Sequence, residues 1–286
     1  MQDQVGIANC NKYSGPNVHT GIAEQISAAI ASDAGISKDE AKKQIYLVDK
    51  QGLLLDNDDS LSVAQKPFAH PASDWSNSKD KIKDLKHLIS EIKPHVLIGT
   101  STVPGAFKED AIREMASHVE HPIIFPLSNP TRLHEAQPKD LIAWTGGKAF
   151  VATGSPFPPV EYEGRNYEIA ECNNSVCFPG IGLGCVLGRT KLLSDEMLVA
   201  AVKALADETP AVQQTDPTKE LCPGVEKARE VSFKIAKSVI KQAAEEDLLG
   251  VSNVPLDNDE ELEEWIRAQM WQASYRELVF EPSKRG

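Results

Sequence analysis

The sequence predicts an α/β protein: a doubly wound, mostly parallel β-sheet followed by C-terminal helices. Three observations carry this. Four short apolar runs break off into small polar residues: "IYLVDK" (Ile45 to Lys50), "HVLIGTST" (His95 to Thr102), "IIFPLSNPT" (Ile123 to Thr131) and "AFVATGSP" (Ala149 to Pro156). Their hydrophobicity is continuous rather than alternating, as in strands covered on both faces. Helix-like segments separate them, so the strands connect by crossovers and run parallel.

Taken in chain order, "GIAEQISAAIA" places Ile22, Ile26 and Ile30 on one apolar stripe, and Gly35 can close that helix in a left-handed conformation. Ser37 and Glu40 have capping-box spacing, which starts a short helix before the Ile45 strand. In "DKIKDLKHLISEIKP" the residues Ile82, Leu85, Leu88, Ile89 and Ile92 keep helical period up to Pro94. "KEDAIREMASHVE" repeats the theme. Beyond Pro159, "VEYEGRNYEI" alternates around Gly164 and reads as a hairpin. Helices follow: a Gly-rich apolar one near "FPGIGLGCVLGRTKLL", one capped by Ser194, and a long one in "VEKAREVSFKIAKSVIKQAAEEDL". The acidic segment after Gly250 ends in "EEWIRAQMWQASYREL", whose Trp265, Met270 and Trp271 need apolar surface, so it reads as a docking arm. At the other end "MQDQVGIANCNKY" offers no convincing first strand, and the sheet is expected to be incomplete there.

With 286 residues, 41% of them hydrophobic, the chain can bury one large core or a core plus a smaller lobe. Its formal charge of -12 repels phosphate backbones and anionic membranes, so neither nucleic acid nor membrane is expected as a partner. An anionic metabolite is still compatible, because helix N-termini supply local positive potential. The five cysteines, Cys10, Cys172, Cys177, Cys185 and Cys222, lack C-x-x-C spacing, which favours reduced intracellular thiols over structural zinc. No targeting segment and no bilayer-length apolar run is evident.

Ligands of open α/β sheets sit outside the carboxyl ends of the strands. Asp49 ends its strand where a carboxylate can accept from ribose hydroxyls. "GTST", "SNPT" and "TGSP" bring Gly99, Thr100, Ser101, Ser128, Asn129, Thr131, Gly154 and Ser155 around the same mouth. Each tetrapeptide alone is an ordinary turn, and their joint position is the signal. Other motifs carry less. "GIGLG" has Cys185 where G-x-G-x-x-G needs glycine and reads as close helix packing; "DNDDS" lacks a calcium loop's glycine and glutamate; His118 and His121 have no third metal ligand.

Four ordered motifs, "ISKDEAKKQIYLVDKQGLL", "PIIFPLSNPT", "AFVATGSPF" and "NNSVCFPGIGLG", together resemble the carboxyl-terminal half of malic enzymes, from about Gly21 to the C-terminus. Such enzymes oxidatively decarboxylate malate to pyruvate and CO2, with NAD or NADP and Mg²⁺ or Mn²⁺. The resemblance implies a Rossmann-like sheet in which Asp49 binds the adenosine ribose and Gly99, Thr100 and Ser101 line the cofactor groove. It also implies that Asn129 and Asn174 contact substrate and nicotinamide ribose, with Asn173 as second choice to Asn174. "EC" precedes that pair where the family has glycine. Gln65 stands where NADP-preferring relatives carry lysine, so NAD is expected over NADP, although Lys50 adjoins Asp49.

The departures lie at the start. "SGPNVHT" sets Ser14, Pro16 and His19 where the family's phosphate loop has glycine, and Pro16 has no N–H to offer. The family's acid, base and metal ligands belong upstream, so no catalytic or metal residue is assigned here. The expected organisation is an atypical leader over 1–20, an NAD-binding domain over 21–250 and a helical arm over 251–286. The chain is thus expected to be an N-terminally truncated malic enzyme, inactive alone and a poor binder of NAD. The complete enzyme would take malate or pyruvate, form a homo-oligomer and work in the cytoplasm or mitochondrion. The alternative is a non-catalytic nucleotide-binding or interaction module that recruits full-length malic enzyme through Trp265 and Trp271. A different 2-hydroxy-acid dehydrogenase would want a histidine in the crevice, and none ends a predicted strand.

Overall fold

The computed structural model describes residues 5–10, 18–214, 216 and 218–275. Each predicted strand forms, trimmed to its apolar part. In chain order the first half runs β1 (Val5–Cys10), α1 (Val18–Ala34), α2 (Lys38–Lys42), β2 (Ile45–Asp49), β3 (Gly52–Leu53), α3 (Leu85–Ile92), β4 (Val96–Thr100), α4 (Glu109–His118) and β5 (Ile123–Pro126). Then come α5 (Pro138–Trp144), β6 (Phe150–Thr153), β7 (Val160–Tyr162), β8 (Arg165–Tyr167), β9 (Ala170–Glu171), α6 (Phe178–Gly188), α7 (Asp195–Ala206), α8 (Pro210–Gln214), α9 (Ala228–Glu245) and α10 (Asp259–Gln269).

Seven strands form one sheet in the order β3-β2-β1-β4-β5-β6-β9, parallel except for the β2–β3 pair. The expectation of an incomplete first strand is corrected here. Val5–Cys10 is an interior strand of the sheet, paired with β2 on one side and β4 on the other. Two β-branched residues among glycine and alanine are a weak signal alone; the two flanking ladders supply the hydrogen bonds that make the segment a strand.

Helices cover both faces, and the strand residues alternate between them. Leu97, Ile124 and Val151 pack with Ile89, Ile112, Met115 and Leu141 of α3, α4 and α5. The neighbouring Ile98 and Phe125 turn to the opposite face, where they join Ala23, Ile22, Ile26 and Ile30 of α1. Both faces are therefore apolar, which is why the strands read as continuous hydrophobic runs.

Local signals set the helix ends. Ser37 and Glu40 form a reciprocal capping box, Ser194 caps α7 by accepting from Met197 N, and Gly35 follows α1 at φ 63°. The predicted helix through Ile82 divides instead. A 3₁₀ stretch covers Ser76–Lys81, and α3 begins only after Asp84, whose carboxylate accepts from Lys86 N. The hairpin around Gly164 is β7–β8, turning through Glu163 and Gly164 at φ 49° and 74°.

The C-terminal helices pack beside the sheet. The glycines of "GIGLG" do serve close packing: a Cβ on Gly180 would lie 2.6 Å from Ile235, and one on Gly184 2.8 Å from Val239. The arm docks onto its own chain, with Leu262 and Ile266 of α10 buried against Phe233 and Ile240 of α9, and Trp265 partly covered there. Trp271 stays 77% exposed.

Candidate functional site

The strand order reverses at β1, because the chain leaves it toward β2 and returns on its other side to β4. Crevices of open α/β sheets form at such a point, and α1, a 17-residue helix, starts there with its N-terminal, positive dipole end. The turn that joins β1 to α1 lies outside the described residues, and the predicted loss of phosphate-loop glycine at Ser14 and Pro16 falls on it. The register places Cys10 level with both Asp49 and Thr100, so the two predicted site residues face each other across one strand, with Cα atoms about 10 Å apart.

Asp49 is held from two sides. Its Oδ1 accepts from Lys50 N at 2.7 Å and its Oδ2 from Gln65 Nε2 at 3.0 Å. Gln65 is buried, and its own Oε1 accepts from Ser62 N, so the amide is fixed before it meets the carboxylate. His19, in the first turn of α1, is buried close enough to feel Asp49. Burial lowers its pKa more than the carboxylate raises it, which keeps the ring neutral.

On β4 the Thr100 hydroxyl is buried at the strand end and finds no hydrogen-bond partner among the described residues. An orphaned buried hydroxyl at a crevice edge is the type of group a bound ligand satisfies. Gly99 and Ser101 do something else. A Cβ on Gly99 would stand 2.6 Å from the Glu135 carboxyl carbon. Glu135 is 0% exposed, and Ser101 donates to it through both its backbone N (2.7 Å) and its Oγ (2.8 Å). The Ser128 hydroxyl donates to the same oxygen and accepts from Thr102 N at 2.8 Å. One buried carboxylate thus ties the loop after β4 to the loop after β5. Ser101 turns inward to that acid, so the groove-lining role expected for its side chain is taken up by support.

The third group of residues lies past β5 and β6. Ser155 Oγ donates to Asn129 Oδ1, which joins "SNPT" to "TGSP". Gly154 makes the approach feasible: a Cβ there would meet Leu127 O at 2.2 Å. Residue 153 pairs with Glu171 of β9, which delivers Asn173 and Asn174 beside the same strand end. Asn173 is occupied as a cap, accepting from Ser175 N at 2.9 Å and donating to Glu171 at 3.0 Å. Asn174 is exposed.

The structure therefore brings Asp49, Gly99, Thr100, Asn129 and Asn174 to one edge of the sheet. The sequence reading missed Glu135. An acid seven residues after Ser128, in a polar loop, looks solvated; the clue was two serines and a glycine converging where one buried acceptor would use them. It also missed His134, buried against Phe157 with ring centroids 5.1 Å apart and neither ring nitrogen partnered. Among the described residues no three His, Cys, Asp or Glu side chains gather as a metal ion requires. No helix there is long and apolar enough to cross a membrane.

A mostly parallel sheet that reverses order at its first strand, with an acidic tip on one side and small polar tips on the other, defines a Rossmann-type dinucleotide-binding domain. The family model for "Malic enzyme, NAD binding domain" matches residues 15–244, and the chain belongs to that family. It is 44% identical over 261 residues to the NAD-dependent malic enzyme of Schizosaccharomyces pombe, covering 91% of this chain and 45% of the relative. It is 46% identical over 259 residues to the NAD-dependent malic enzyme of Shewanella baltica, covering 90% and 44%. A mitochondrial NAD-dependent malic enzyme of Saccharomyces cerevisiae matches at 41% over 281 residues, covering 93% and 41%. The crystal structure of Entamoeba histolytica malic enzyme superposes with a TM-score of 0.61 at 22% identity, over 92% of this chain and 48% of that one, a likeness of fold. The chain spans less than half the length of these relatives.

Proposed function

We propose that, against the poor binding expected from an incomplete first strand, this chain binds NAD along the carboxyl edge of its sheet, since β1 is paired on both sides, and forms the nucleotide-binding half of a malic enzyme. The single observation behind it is the level placement of Asp49 and Thr100 on either side of β1, at the start of α1. Asp49 is the acceptor for the adenosine ribose hydroxyls; both its oxygens keep a lone pair after meeting Lys50 and Gln65. The buried Thr100 hydroxyl gains the partner it lacks. Gln65 offers no cation to a 2′-phosphate, which favours NAD over NADP.

Asn129 and Asn174 orient substrate and nicotinamide ribose through their amides. Asn129 arrives oriented by Ser155, and Asn174 is released for ligand because Asn173 takes the capping duty. In the family reaction, oxidative decarboxylation of malate to pyruvate and CO2, bound NAD supplies a hydride acceptor. The metal of the family reaction finds no ligand cluster among the described residues. The chain covers 45% of the Schizosaccharomyces pombe relative's length, and on this reading the family's acid, base and metal ligands belong to the remainder, so that this chain alone does not turn malate over. Residues 5–10 form β1 and serve the sheet. The complete enzyme is cytoplasmic or mitochondrial and homo-oligomeric.

An assay with malate, NAD and Mn²⁺ tests the inactivity: turnover above background refutes it. Calorimetric titration with NAD tests the binding. The rival reading, a recruiting module for full-length malic enzyme, draws on the exposed Trp271. Co-purification with such a subunit, lost on Trp271→Ala, would favour it.

A further inference from the structure

The segment that carries Asn173 and Asn174 begins with Cys172, and the Cys172 sulfur lies 3.9 Å from that of Cys222, both reduced and half-buried. Two backbone stretches hold these thiols together. Glu168 N donates to Thr218 O at 2.8 Å, and Lys219 pairs with Glu168 at 2.6 Å, so the stretch ending at Cys222 is laid along the stretch ending at Cys172. Cys172 is pinned from its other side, its N donating to Thr153 O at 2.8 Å. The sulfurs stand at van der Waals contact, about 2 Å beyond the bond length of about 2.0 Å, so closing them calls for side-chain rotation first.

We infer that Cys172 and Cys222 form a disulfide when a hydroperoxide reaches them, and that the bond clamps the Asn173–Asn174 turn to the connection before α9. Either sulfur can donate to the other. Cys177 is raised by burial and by Cys222 nearby. One of the two, as thiolate, attacks one peroxide oxygen; the O–O bond breaks, and hydroxide leaves as water with the thiol's proton. The other sulfur then displaces the hydroxyl of the resulting sulfenic acid, the S–S bond forms, the S–O bond breaks, and a second water leaves. Two thiols lose two electrons and two protons, and one hydrogen peroxide becomes two waters.

The test uses the full chain, hydrogen peroxide, alkylation of remaining thiols and peptide mapping. Expected is a cross-link joining the Cys172 and Cys222 peptides, two hydrogens lighter than the reduced pair and released by dithiothreitol. Both thiols left alkylated, or a cross-link through Cys177 or Cys185, overturns the inference. In Cys172→Ser or Cys222→Ser the cross-link is lost and peroxide leaves a dimedone-trappable sulfenic acid on the remaining cysteine of the pair; no sulfenic acid in either folded variant overturns the inference. Should substitution unfold the chain, the peptide map of the unmodified protein decides. Amide exchange at residues 173–176 slows at least about tenfold on oxidation, and unchanged exchange overturns the clamp. None of these readouts uses NAD, so the inference stands or falls apart from the proposed cofactor.

Discussion

Gln65 Nε2 donates to Asp49 Oδ2 at 3.0 Å, fixing the acidic tip of β2 with a buried neutral amide rather than a cation. If this bond orients Asp49 for a ribose, Gln65→Ala weakens NAD binding about threefold to tenfold, roughly 1 kcal/mol. Gln65→Lys shifts preference toward NADP. Titration of each variant with both nucleotides checks this; unchanged affinities would disconnect Gln65 from the site.

Glu135 joins two loops from a position with no solvent exposure. Glu135→Gln keeps the shape but sets an amide against the Ser101 N–H and the Ser101 and Ser128 hydroxyls, which now donate to carboxylate oxygens. The expected loss is about 2–4 kcal/mol in urea unfolding. In a double-mutant cycle, Ser101→Ala and Ser128→Ala are non-additive with it, and additivity would mean the carboxylate is not the shared node.

Asn173 and Asn174 separate stability from binding. Asn173→Ala removes a cap and costs about 1 kcal/mol of folding stability. Asn174→Ala lies on an exposed side chain and leaves the melting temperature within about one degree while weakening ligand. Thermal denaturation beside NAD titration of both variants distinguishes the roles.

Three histidines impose a pH dependence. Burial lowers the pKa of His19, His70 and His134. His70 is stacked on Tyr46 at 4.0 Å, and its Nε2 lies 3.0 Å from Ile45 O, with Asp74 opposing the shift. Unfolding frees these rings to protonate, so the unfolded chain takes up more protons below the ordinary imidazole value of about 6.5. Their contribution is full above that value and is lost as pH falls through it toward the lowered native values. Urea unfolding at about pH 7.5 and 5.5 should show the fall, and His70→Gln should make it smaller. An equal fall in the variant would remove His70 from the account.

What was legible in the sequence was what local chemistry decides. The Ser37–Glu40 box, the Gly35 stop and the Ser194 cap satisfy donors and acceptors within a few residues, and each is where the pattern put it. Apolar runs buried on both faces announced β2, β4, β5 and β6, and their polar tips pointed to the candidate site. β1 was not legible, since Val5 and Ile7 alternate with glycine and alanine and only two long-range ladders make them a strand. Glu135 was hidden for the same reason: its partners lie 34 and 7 residues away, and only the folded loops give it a purpose. Ile82 kept helical period yet fell outside α3, because the Asp84 cap set a later start.

The most direct measurement is calorimetric titration of this chain with NAD, alongside Asp49→Ala and Thr100→Val. The account predicts saturable binding at one site, weakened about fivefold or more by each substitution, roughly 1 kcal/mol, with melting temperatures unchanged. No saturable heat with the unmodified chain, or equal affinity in both variants, would contradict a nucleotide crevice at the carboxyl edge of this sheet.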